Sequence, residues 1–244
     1  MNAHPAPMSG AHPGASAPPG SWAAAATLAG VTLTRLGRGK ALWLCALIAA
    51  LPIGFGAIMH ARHVAPFYND LFVLWRLILA LLSAMLVASS IGEDIEDRTG
   101  TYLWSRPIAR WAVLVGKLCA LTPIVVVLVV ASWFATIEVW TAGAPTAISC
   151  VGLAAGSVTA CMVAAGIATV VPKHAMALTI GYMLVDNFVS AWPFSLRELM
   201  LAHQTTALAG IADDAAIVTP VIALAAIAGA WAAIGLVRIR RLEV

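Results

Sequence analysis

Apolar residues in this chain gather into long unbroken runs instead of recurring at the 3.6-residue interval that leaves one helix face wet. Six runs stand out, at about 41–59, 70–91, 111–136, 148–171, 175–193 and 216–237. A run of about 18 or more apolar residues is long enough to cross a bilayer. Hydrocarbon offers backbone N–H and C=O groups no partner, so a crossing segment must be a helix or part of a closed barrel. The alternating segments of a membrane barrel are absent from the sequence. The pattern predicts an all-α integral membrane protein with six transmembrane helices.

Shorter elements flank the spans. Residues 22–38 are apolar first and basic last, with Gly37 and Gly39 closing the run. That order suits a helix lying on the inner leaflet before the chain enters the bilayer. Pro52 is expected to bend the first span. In 194–215, Ser195-x-x-Glu198 has capping-box spacing. It predicts short helices at roughly 194–202 and 205–211, lying at the outer surface or dipping into the membrane. Residues 1–20 are chiefly Pro, Ala, Gly and Ser, which cannot build a core and read as a disordered cytoplasmic tail. A single membrane domain is left over 21–244.

Composition agrees, with 61% hydrophobic and only 10% charged residues. The placement of charge adds an orientation. With both termini cytoplasmic, Arg35, Arg38, Lys40, Arg98, Arg106, Arg110, Lys117, Lys173, Arg238, Arg240 and Arg241 fall inside, and only Arg62 and Arg197 outside. Such a bias towards the inner side is the rule for a multi-pass protein of the cytoplasmic membrane. Basic residues that flank spans form no stripe, so nucleic acid is excluded as a partner. Cys45, Cys119, Cys150 and Cys161 all lie in spans without a C-x-x-C pair and read as packing residues. Met59, His60 and His63 offer soft-metal donors, but histidines in an outer segment read first as solvated loop groups. No metal site is assigned. No phosphate loop, nucleophile elbow or H-E-x-x-H occurs, and no histidine lies mid-bilayer to ligate a haem. The chain is expected to be non-catalytic.

Two features carry candidate function. The first is the segment 92–110, in which 93–110 holds seven of the 25 charged residues between the second and third spans. Gly100 breaks the helix, and Pro107 pushes Arg106 out of helical geometry. A short helical piece over Thr101 to Ser105 would present Tyr102, Leu103 and Trp104, an aromatic-aliphatic cluster framed by charges that suits a partner's groove. The second is the pair Arg76 and Asp186, each about 9–10 Å below the outer surface at 1.5 Å per residue. Charges in hydrocarbon are costly and find partners. The two are expected to pair across helices, near Asn187, pinning the helices or lining a path.

The run Glu96-Asp97-Arg98-Thr99-Gly100-Thr101, with Leu103, Ser105-Arg106-Pro107-Ile108, Arg110 and Gly116-Lys117, resembles the signature of the ABC-2 type (type-2 ABC exporter) permeases. The likeness is dense over about 22 residues, and its helix plan covers nearly the whole chain. It implies a membrane-spanning permease subunit, present as two copies or with a paralogue, that meets two cytoplasmic ABC ATPase subunits. Coupling to the ATPase would fall on Glu96, Thr99, Gly100, Thr101, Tyr102, Leu103, Trp104, Ser105, Arg106, Pro107 and Arg110, with Arg35 to Lys40 alongside. This chain would bind no cofactor, ATP and Mg belonging to the ATPase, which would power export of a substrate the sequence does not identify. The competing reading is a membrane anchor or sensor scaffold that recruits a cytoplasmic partner without transport.

Overall fold

The structure, a computed structural model, describes residues 21–65, 67–96, 110–193, 195–211 and 217–241. The tail 1–20 and most of the expected coupling segment, from Thr99 to Pro107, lie outside the described residues. Helix α1 spans Ser21–Arg38 and α2 spans Lys40–Ala61, with only Gly39 between them. Helix α3, Tyr68–Ser83, passes through a π-helical turn at Ala84–Ala88 into α4, Ser89–Glu96. Then come α5, Arg110–Thr141, and α6, Ala147–Val170. A 3-10 turn at Pro172–His174 leads into α7, Ala175–Ser190, and another at Ser195–Leu199 into α8, Leu201–Leu208. Helix α9, Val218–Arg241, closes the described chain.

Among the described residues, five segments are long and apolar enough to cross a membrane: Lys40–Ala61, Leu71–Glu96, Trp111–Thr141, Ala147–Val170 and Val218–Arg241. The chain is an all-helical, multi-pass membrane protein. The run expected as a span over 175–193 forms a helix of 16 residues. At 1.5 Å per residue that is about 24 Å, short of a hydrocarbon core of about 30 Å. Pro193 lacks an N–H and disfavours helical geometry in Trp192, which accounts for the early stop.

Helix α6 is the centre of the bundle. Of its most apolar window 67% is buried, the same share as in Leu71–Glu96 beside it, against 22% for α2 and 17% for α9, which face outward. Small residues make this possible by letting neighbouring backbones come close. A Cβ added to Gly156 would stand 2.6 Å from Thr205 Oγ1, so no larger residue fits there without displacement. Between α3 and α5 the core is aromatic. Phe72 and Trp75 meet Trp133 edge-on, at centroid distances of 5.5 and 4.9 Å, and Trp133 Nε1 donates to Ser149 Oγ at 2.9 Å. That bond matters because a buried indole N–H without an acceptor costs about 1–3 kcal/mol.

The helix expected over 22–38 is present as α1. It crosses the start of α5, with Trp22 edge-on to Trp111 at 4.9 Å. A Cβ on Gly116 would stand 2.6 Å from the Ala25 carbonyl, so glycine is what admits α1 this closely.

Candidate functional site

Two clusters of charge sit within the bundle, near opposite ends. The first bridges α4 and α5, the two helices that bracket 97–109. Lys117 Nζ lies 2.5 Å from Asp94 Oδ2, 2.5 Å from the Ser90 carbonyl and 3.1 Å from Ser90 Oγ. The lysine is only 8% exposed. Its donors do not run out to water; three oxygens of the protein take them. The π-helical turn helps to place those oxygens. One extra residue in a turn rotates everything after it by about 100° relative to an uninterrupted helix. Ser90 and Asp94, four apart on α4, are thereby set on the face towards Lys117. Beside them a crevice of about 420 Å³ opens between α1, α2, α4 and α5, with Arg35, Lys40 and Glu93 on its walls.

The second cluster organises the segment after α7. Helix α8 runs antiparallel to α6. Thr205 abuts Gly156, Ala209 abuts Gly152 and Gly210 reaches Ile148 near the start of α6. Gly156 is nine residues from Ala147, so Thr205 lies about 13 Å along α6 from its end. The chain therefore leaves α7, turns back inside the bundle and climbs out again along α6. Such a re-entrant segment is tolerated only where the protein satisfies its backbone. Met200, the residue preceding α8, has no side chain able to cap it. Asp186 of α7 supplies the cap: its two carboxylate oxygens accept from the N–H groups of Leu201, at 2.9 Å, and Ala202, at 2.7 Å. A carboxylate there also complements the positive end of the helix.

Arg76 of α3 grips the same turn. Its Nη1 donates to the Ala202 carbonyl at 3.2 Å and Thr206 Oγ1 at 3.1 Å, with Ser190 Oγ at 3.5 Å. Arg76 and Asp186 thus meet on Ala202, one at its carbonyl and one at its N–H. Three helices are tied together by two charges and a backbone. Asn187 Nδ2 turns instead to the Met183 carbonyl, at 2.9 Å. The capping-box residues Ser195 and Glu198 fall in a 3-10 turn, so the α-helix starts at Leu201 and not at the predicted position.

Of the expected coupling residues, Glu96 ends α4 exposed and Arg110 begins α5. Thr99, Gly100, Thr101, Tyr102, Leu103, Trp104, Ser105, Arg106 and Pro107 lie outside the described residues. His60 donates from Nδ1 to the Trp140 carbonyl at 2.8 Å, giving that histidine a packing role at the α2–α5 contact. Ser90 and Asp94 were not singled out beforehand, although Asp94 stands in the acidic block and Lys117 in an apolar run. Two opposite charges on helices joined by one loop were the available signal. Comparison with protein-family models and with curated proteins yields no match.

Proposed function

We propose that this chain is the membrane-spanning permease subunit of an ABC transporter. It would couple ATP hydrolysis by a separate cytoplasmic ATPase to export of a substrate across the cytoplasmic membrane. The motif resemblance over 96–117 motivates the reading, and one observation carries it physically. Lys117 clamps α5 to α4 through Asp94 and Ser90, on both sides of the 97–109 segment. A push on that segment by a closing motor would move the second and third spans as one rigid pair, which is what mechanical coupling needs.

In this reading the Lys117 end faces the cytoplasm and both termini lie there, as the distribution of Lys and Arg favours. Helix α1 rests at the inner interface, and α7 with the re-entrant α8 forms the sixth membrane element. Two permease copies, or one and a paralogue, join two ATPase copies. The chain itself carries no nucleotide chemistry.

Co-purification with a cytoplasmic ABC ATPase expressed alongside this chain is the test. The Leu103→Asp/Trp104→Asp double variant is expected to lose the ATPase from the complex while still entering the membrane. Undiminished co-purification and ATPase activity would refute the coupling assignment. A scaffold without transport would keep the partner but show no substrate movement in vesicles supplied with ATP.

A further inference from the structure

The crevice beside Lys117 is amphipathic in a way the clamp does not explain. Leu28, Leu36, Leu86 and Leu121 give it an apolar wall. Its charges divide into two sets. Lys117 and Asp94 neutralise each other at 2.5 Å. Arg35, Lys40 and Glu93 remain exposed on the lining, and among the described residues none of them has an ion-pair partner. Two cations and one carboxylate that have no ion-pair partner among the described residues therefore face a space of about 420 Å³, within the roughly 300–1,000 Å³ usual for small-molecule sites.

Two counts along different helices, both from the level of the His60–Trp140 contact, place this space at a membrane surface. Helix α5 has 32 residues, about 48 Å at 1.5 Å per residue, against about 30 Å of hydrocarbon. Counting about 30 Å back from Thr141 ends near Leu121, on the crevice wall. On α2, His60 is tied to the Trp140 carbonyl, and Lys40 lies 20 residues away, again about 30 Å. The tryptophans agree: Trp22, set against Trp111, and Trp43, three residues after Lys40, are 70% and 74% exposed, as in the aromatic belt of a membrane interface.

We infer that the crevice holds a phospholipid headgroup of the phosphoethanolamine class, its phosphodiester between Arg35 and Lys40 and its ammonium at Glu93. A phosphate takes charge-assisted hydrogen bonds from Arg and Lys. A primary ammonium supplies three donors to a carboxylate that has no ion-pair partner among the described residues. The glycerol and first acyl carbons meet the leucine wall. The site is independent of any ATPase partner, since it needs only the membrane.

Native mass spectrometry of the purified, delipidated full chain in detergent tests the assignment, with phosphatidylethanolamine, phosphatidylglycerol and phosphatidylcholine added separately. The wild type is expected to retain one phosphatidylethanolamine in preference to the others. Arg35→Gln/Lys40→Gln should weaken all phospholipid binding by about tenfold or more, and Glu93→Gln should remove the preference for ethanolamine while leaving binding to the phosphate. Thr32→Trp, which fills the crevice from α1 and leaves every charge in place, should also displace the lipid. Equal retention by the charge and filling variants would overturn the site. So would displacement of the lipid by millimolar inorganic phosphate, which would mark a free-anion site with no use for the leucine wall. Retention of phosphatidylglycerol above phosphatidylethanolamine would overturn the headgroup class.

Discussion

The protein sets a cation and a carboxylate near each end of its bundle, with Lys117 buried at one and Asp186 at the other, and uses them in opposite ways. At one end Lys117 and Asp94 touch directly, at 2.5 Å, and join two long rods beside an open crevice. At the other, Arg76 and Asp186 meet on the backbone of Ala202 and hold a re-entrant turn in place. The difference follows from what each end must satisfy. Long helices satisfy their own backbone, so charges between them need only each other. A helix that starts inside the bundle has free N–H groups that hydrocarbon cannot serve. There a carboxylate does more as a cap than as half of an ion pair.

The comparison breaks first at Asp186. Asp186→Ala leaves two buried N–H groups without acceptors, at about 1–3 kcal/mol each. The thermal unfolding midpoint in detergent should fall more than for any other change considered. Asp186→Asn keeps one acceptor and should fall between the alanine variant and the wild type. A midpoint unchanged in the alanine variant would mean that α8 is capped by something else. Gly156→Ala comes next, because its Cβ would meet Thr205 at 2.6 Å. Overpacking of this kind costs about 1–3 kcal/mol, and Thr205→Ala in the same chain should recover part of the loss. If the pair of changes merely adds, the two helices do not touch there.

Lys117→Met should cost less than Asp186→Ala, about 1–2 kcal/mol, since removing it strands a carboxylate that water can still reach. The side chain of Asp94 is 28% exposed, which decides that order. Asp94→Asn in the Lys117→Met background should restore much of the stability. Arg35→Gln and Lys40→Gln come last, within about 0.5 kcal/mol, as exposed charges without protein partners. The same two changes are expected to have the largest effect on retained lipid, which separates binding at the crevice from folding of the bundle.

Much of this architecture was legible in the chain. Long apolar runs name their own helices, because a bilayer leaves no alternative. Gly152 and Gly156, one turn apart in an apolar run, are the kind of pair that admits a close neighbour. Arg76 and Asp186 announced themselves as charges where charges do not belong. Their partners were not legible. Asp186 read as the counter-ion of Arg76, yet its oxygens accept from amides 15 and 16 residues further on. Ser195 and Glu198 carried the spacing of a cap, while the α-helix begins at Leu201, whose neighbour Met200 carries no cap at all. The π-helical turn at Ala84–Ala88 has no breaker residue to betray it.

What the sequence by itself determined is the class of molecule and most of its helices, since hydrophobic length and backbone hydrogen bonding are local properties. Only the tertiary structure decided what the buried charges hold. A side chain's hydrogen-bonding demand can be read from its type, but the group that meets it is brought there by helices folding back on one another. In a re-entrant segment that group is an amide N–H, which every residue but proline carries and no pattern of side chains can single out.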